Sequence, residues 1–199
     1  MEGKVVAIGE CGLDYDRLQF CPAAVQRYFF EWHFQLARSA GLPMFLHNRN
    51  AGDDFLAMVR RAAECFPYAV SHSFTGSAAE AAELVEAGLY IGVNGCSLKT
   101  QESCVVVASI PLDRLMLETD CPWCDIRPTH AGHKHVQSTW PTNKEKKWAP
   151  DACVKSRSEP CHIVQVAEVV AGVKGLSVAE VAEAAWQNTV AVFGKPVSA

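Results

Sequence analysis

The chain has 199 residues, 49% of them hydrophobic, a mean hydropathy of +0.03 and a formal net charge of -4. That length suits one domain with its own core, and the acidic balance excludes attachment to nucleic acid through bulk positive charge, leaving room only for a local basic strip. No apolar run reaches the roughly 18 to 20 residues of a membrane span, and Met1 to Lys4 leads into a strand-like run without a signal-peptide core, so a soluble, intracellular protein of the cytoplasm or nucleus is expected, with no membrane partner.

Taken in chain order, the run Val5-Val6-Ala7-Ile8-Gly9 reads as a strand that delivers Glu10. From Pro22 to Ala40, Val25, Tyr28, Phe29, Trp32, Leu36 and Ala40 recur at helical spacing, which predicts a long helix with these residues as its buried face and Gly41 as its stop. Leu42 to Leu46 is a second strand, ending at His47, and a second helix follows over about Asp53 to Cys65. Tyr68 to Ser71 leads into His72. A capping box at Ser77 and Glu80 opens a third helix that stops at Gly88. Leu89 to Val93 reads as a strand, Gln101 to Ser109 as a helix, and Leu112 to Thr119 as the strand that delivers Asp120.

Strand and helix alternating through five strands predict an α/β fold with a parallel sheet and right-handed crossovers. Residues 121–160, with many Pro, His, Lys and Trp, read as a long loop within the same domain, a connection of the kind that is functional or disordered. A helical pattern resumes from Cys161 to Val173. A second capping box, at Ser177 and Glu180, opens a final helix that turns Val181, Ala184, Ala185, Val190 and Phe193 to the core.

Glu10, His47, His72 and Asp120 each follow an apolar run, and the C-terminal ends of parallel strands share one rim, so the four are expected to converge. Carboxylate and imidazole together suit magnesium, manganese or zinc in a hydrolase, where the ion lowers the pKa of a bound water. Each residue alone has an ordinary role as a cap or a hydrogen-bonded structural group. Four at corresponding strand ends favour the metal site.

Arg49, two residues beyond His47, is a candidate for the substrate phosphate, with a salt bridge to Asp53 or Asp54 as the alternative. Asp14 and Asp16 are explained by turn formation. Between His130 and Arg157, Lys134, Lys144, Lys146, Lys147 and Lys155 alternate with Trp140 and Trp148. A solvated surface outweighs direct DNA contact for that segment, and His130, nearest the strand end, is its one phosphate candidate. Nine cysteines, an odd number, point to reduced thiols. Cys121 and Cys124, with Cys153, Cys161 and His162 downstream, match no standard zinc spacing, so buried thiols are preferred there.

Gly9-Glu10-Cys11-Gly12-Leu13-Asp14-Tyr15-Asp16, Phe45 to Arg49, His72 to Ser77, and Ile110 to Arg114 running on through Glu118-Thr119-Asp120-Cys121-Pro122 together resemble the TatD family of metal-dependent deoxyribonucleases. Thr129 to Gly132, Glu159 to His162 and Asn188-Thr189 resemble its eukaryotic branch. The resemblance implies a TIM-type (β/α) barrel of the metal-dependent hydrolase group, up to two divalent ions, and DNA as substrate. It makes Glu10 the bridge between two ions and Glu10 and Asp120 the catalytic pair. His47 and His72 complete the second ion's ligands, and Asp120 binds the first ion or orients the attacking water.

The family's opening His-x-His pair does not precede Glu10; the one such pair here, His133 and His135, lies in the polar loop. Five strands also fall short of the eight of a closed barrel. The expectation is therefore a single domain over 1–199, truncated at its N-terminus relative to the family, with a missing segment or a complementing chain supplying the rest. Two alternatives are an inactive or fragmentary relative acting as a binding partner, and a hydrolase of ester bonds such as those of aminoacyl-tRNA.

Overall fold

The computed structural model describes residues 4–194. Five parallel strands, β1 (Ile8–Asp14), β2 (Met44–Arg49), β3 (Ala69–Ser71), β4 (Tyr90–Val93) and β5 (Leu115–Leu117), lie side by side in chain order. The helices α1 (Ala23–Ala40), α2 (Gly52–Arg61), α3 (Ala78–Glu86) and α4 (Gln101–Ser109) return the chain between successive strands. Such singly wound order, with one hand of crossover, layers the helices on one face of the sheet. Among the described residues β1 and β5 are not paired with each other, so the sheet is open.

Strand alternation divides the core in two. Ala69, Ile91 and Leu115 point into the main core with Phe30, Phe34 and Phe55, whereas Val70, Tyr90 and Met116 point to the opposite face and meet Val192 and Phe193. Those last two residues end α6 (Val178–Phe193), which packs on α5 (Ile163–Lys174). Asn188, buried in α6, donates Nδ2 to the carbonyls of Leu112 (2.9 Å) and Leu115 (2.8 Å) and so ties this helix to the entry of β5. Removing a donor that serves buried carbonyls costs about 1 to 3 kcal/mol. Asn188→Leu is therefore expected to lower stability by about 2 kcal/mol in urea melts, and an unchanged midpoint would show that these bonds contribute nothing. No single helix among the described residues is long and apolar enough to cross a membrane.

The structure corrects four expectations. The buried face of α1 is Phe30, Phe34 and Ala37, while Tyr28 and Trp32 of the expected face are 59% and 58% exposed, and Val25, Phe29 and Leu36 are exposed as well. The helix carries two apolar stripes of equal spacing, and the one facing Phe55 (5.7 Å from Phe30) and Phe66 (6.1 Å from Phe34) is buried. Secondly, Val5 and Val6 are exposed and precede β1, and Glu10 and His47 lie within β1 and β2 because pairing continues to Asp14 and Arg49. Only His72 follows its strand directly. Thirdly, 112–114 is a 3-10 turn, so β5 starts later than expected and Asp120 stands beyond it.

Finally, the connection over 121–160 is ordered. It contains 3-10 turns at Ala131–His135 and Glu145–Lys147 and a parallel pairing of β6 (Thr142–Asn143) with β7 (Cys153–Val154). Buried Glu168 of α5 accepts from Gln137 N (2.7 Å), Ser138 N (3.1 Å) and Ser138 Oγ (2.5 Å), fastening this segment to the domain. The capping boxes at Ser77 and Ser177 and the left-handed stop at Gly41 form as expected.

Candidate metal centre

Three side chains from adjacent strands meet at one point. Glu10 Oε1 is 3.0 Å from His47 Nδ1 and 2.8 Å from His72 Nε2, and the two ring nitrogens are 3.1 Å apart. The approach depends on glycine in β1: Gly12 pairs with His47, and a Cβ at Gly12 would fall 2.0 Å from the His47 carbonyl oxygen. Two imidazole nitrogens and a carboxylate oxygen face one point, and each can present a lone pair to a cation there. Repulsion among them is relieved by a cation, so the donor set fits a divalent metal ion.

What lies behind the rings supports the same orientation. His72, 5% exposed, has Glu118 Oε2 at 3.5 Å from Nδ1. Glu118 is itself fixed, because its Oε1 accepts from the Ser73 backbone N–H and from Asn94 Nδ2 at 3.4 Å. Asn94 is held in turn by Ser73 Oγ (2.9 Å) and by the Cys96 N–H it accepts (2.8 Å). A carboxylate on the far nitrogen directs the near one inward and raises its basicity, the usual arrangement behind a metal-binding histidine. Asp14 Oδ2 plays the corresponding part for His47, 3.5 Å from Nε2, but too far to close a hydrogen bond, so that buried nitrogen lacks a partner. Burial disfavours the His72 cation, yet Glu118 and then Glu10 outweigh it and hold its pKa above the ordinary value. The pocket thus carries an excess of negative charge that welcomes a cation.

Two cavities flank this centre. One, of about 540 Å³, is lined by Glu10, His72, Glu118 and Asp120, with Phe45, Cys121 and Pro160 completing its wall. Asp120 therefore shares the hollow of the three converging groups, although it bonds to none of them: its Oδ2 accepts from Cys124 Sγ at 3.3 Å. The other cavity, of about 520 Å³, runs past His47, Asn48, Arg49, Ser73, Thr75 and Lys99.

Of the phosphate candidates, Arg49 pairs with Asp14 (3.4 Å) rather than with Asp53 or Asp54, since Asp54 is taken by Arg27 at 2.8 Å. His130 stands outside both cavities, in a turn where its Nδ1 accepts from Arg127 N at 3.2 Å. His135 packs against Gly172, so the His133 and His135 pair lies apart from the centre. Glu118 and Asn94 are the residues that motif reading missed, and Asp14 is the one set aside. Strand alternation was the available signal for Asp14, which is four residues from Glu10 in β1.

Cys153, Cys161 and His162 form a second cluster, with sulfurs 4.0 Å apart. His162 Nδ1 accepts from Glu159 N at 3.0 Å, which leaves the proton of its neutral ring on Nε2 and spends its lone pair. Burial and then Cys161 push the Cys153 thiol up to about 11.

A sequence profile described as TatD related DNase matches residues 1–194. The chain is 46% identical over 196 residues to the deoxyribonuclease Tat-D of Schizosaccharomyces pombe, covering 97% of this chain and 63% of that one. It is 36% identical over 196 residues to the 3'-5' ssDNA/RNA exonuclease TatD of Erwinia amylovora, covering 96% and 66%. The crystal structure of a TatD family hydrolase from Entamoeba histolytica superimposes with a TM-score of 0.90 at 34% identity, over 96% of this chain and 64% of the other. The chain thus spans about two thirds of the length of these relatives.

Proposed function

Because the chain belongs to the TatD-related DNase family and its five parallel strands match part of the TIM-type barrel fold of those hydrolases, we propose that it hydrolyses phosphodiester bonds in DNA with divalent metal ions. The observation that carries this reading is the convergence of Glu10 Oε1, His47 Nδ1 and His72 Nε2. In this reading the three would hold one magnesium, manganese or zinc ion, Glu10 would also serve a second, and Asp120 would bind that second ion or orient the attacking water. When bound, such ions lower the pKa of water and neutralise the phosphate.

The protein's own groups set the geometry. Glu118 keeps His72 Nε2 turned inward, and Asp14 lies 3.5 Å behind the other ring, at His47 Nε2, without bonding it. Arg49 holds a phosphate oxygen once it exchanges its exposed contact with Asp14 for the substrate. Burial, followed by Lys99 and Arg127, lowers the pKa of His130, so at neutral pH it offers a neutral N–H from Nε2 to a more distant phosphate. Nine unbridged cysteines accord with an intracellular setting, cytoplasmic or nuclear.

The test is to incubate the purified chain and manganese with end-labelled single- and double-stranded DNA, alongside a carboxyl ester. Cleavage of DNA that stops on chelation is the expected result. Intact DNA with a hydrolysed ester would replace the nuclease reading by an esterase acting through the same centre.

A further inference from the structure

Cys96 lies in the 3-10 turn Gly95–Leu98 after β4, and Cys124 in the segment after β5, yet their sulfurs are 2.7 Å apart. The two loops are in backbone contact, since a Cβ on Gly95 would come within 1.9 Å of the Cys124 carbonyl oxygen. A disulfide bond is about 2.05 Å long, so closure asks for a movement of only roughly 0.7 Å. Both residues are partly exposed and line the cavity that also holds Lys99 and His47. Cys121, the sequence neighbour of Cys124 in the C-x-x-C motif, is exposed and takes no part in the sulfur contact.

We propose that Cys96 and Cys124 are a redox dithiol that hydrogen peroxide closes to a disulfide, and that closure frees Asp120 from its thiol partner. The Cys96 thiolate attacks one peroxide oxygen, the O–O bond breaks, and the released hydroxide takes a proton to become water. Cys124 sulfur then attacks the Cys96 sulfenic acid, the S–O bond breaks, and a second water leaves. Two thiols have given up two hydrogens and two electrons, and the peroxide has been reduced to two waters. Once bridged, Cys124 has no hydrogen left for Asp120 Oδ2, and the turn from Asp120 to Cys124, closed by Trp123 N to Asp120 O at 2.8 Å, is tethered to β4 instead.

The bridge goes beyond the nuclease reading, whereas its effect on Asp120 rests on that reading, so each has its own readout. Peroxide treatment of the full chain, alkylation of remaining thiols and peptide mapping should give a Cys96 to Cys124 crosslink that a thiol reductant removes and Cys96→Ser abolishes. Separate alkylation of both cysteines, or a bridge from either to a different cysteine, overturns the proposal. By calorimetry with manganese alone, the oxidised protein should bind several-fold more weakly than the reduced one. Peroxide-treated Cys124→Ser, which keeps a hydroxyl donor for Asp120 but cannot bridge, should match the reduced protein. Equal affinity in both redox states overturns the link to Asp120, and absence of manganese binding in the reduced state overturns the metal reading while the crosslink map still decides the bridge.

Discussion

Alanine at His72 is expected to weaken manganese binding by more than about 100-fold and to slow the proposed DNA hydrolysis at least as much, because even partners behind a ligand are worth 10- to 100-fold in metal affinity. His72 is nearly fully buried between Glu10 and Glu118, so no neighbour can swing in to replace its Nε2. Metal that binds only the folded state stabilises it by about 2.7 kcal/mol at one hundred times Kd, which for a domain of this size raises Tm by roughly 5 to 10 °C. Wild type should show that shift on adding manganese and His72→Ala should not. Glu118→Gln keeps all three converging atoms and loses only the charge behind Nδ1, so its loss should be smaller, about 10-fold. Added imidazole restoring part of the His72→Ala binding would identify the defect as a missing ligand. A manganese-induced Tm shift equal in wild type and His72→Ala would remove His72 from the metal centre altogether.

The converging residues were legible in the sequence because strand ends announce themselves: an apolar run stops, a polar residue follows, and parallel order brings such stops to one rim. Glu10 and His47 fall inside their strands rather than beyond them, but alternation keeps them on the same side, so the inference survives the shift. The buried side of α1 was not legible. Its two apolar stripes have identical spacing, and the choice between them is made by Phe55 and Phe66, which are far away in sequence. Glu118 and Asp14 were obscured for a different reason: spacing puts Asp14 on the side of β1 that carries Glu10, but which ring a carboxylate backs depends on which nitrogen faces inward. The anchor at Glu168 was hidden too, since an acidic residue in an apolar helix reads equally as an exposed position and as a buried acceptor for a distant loop.

That anchor yields the second large effect. Glu168 is 6% exposed, and it satisfies two backbone N–H groups and the hydroxyl of Ser138, whose carbonyl in turn accepts from Gln165 Nε2 at 2.8 Å. Glu168→Ala leaves these part-buried donors without their acceptor, at about 1 to 3 kcal/mol each less what water can restore, so a net loss of about 3 kcal/mol is expected. For a domain of this length that is a fall of roughly 6 to 12 °C in Tm. Burial raises the Glu168 pKa, but the bonds from Ser138 and Gln137 more than reverse this and hold it below the ordinary glutamate value. A carboxyl depressed in the folded state adds stability above the unfolded pKa, about 4.3, and loses it as pH falls through the lower folded pKa. The stability gap between wild type and Glu168→Gln should therefore be full at neutral pH and shrink in that acid window; a gap independent of pH would show that the charge is not what holds the segment. Because Gln137 and Ser138 belong to the same connection as Cys121, Cys124 and Pro160, which wall the two cavities, loosening it should expose those residues to hydrogen exchange and alkylation before the sheet unfolds.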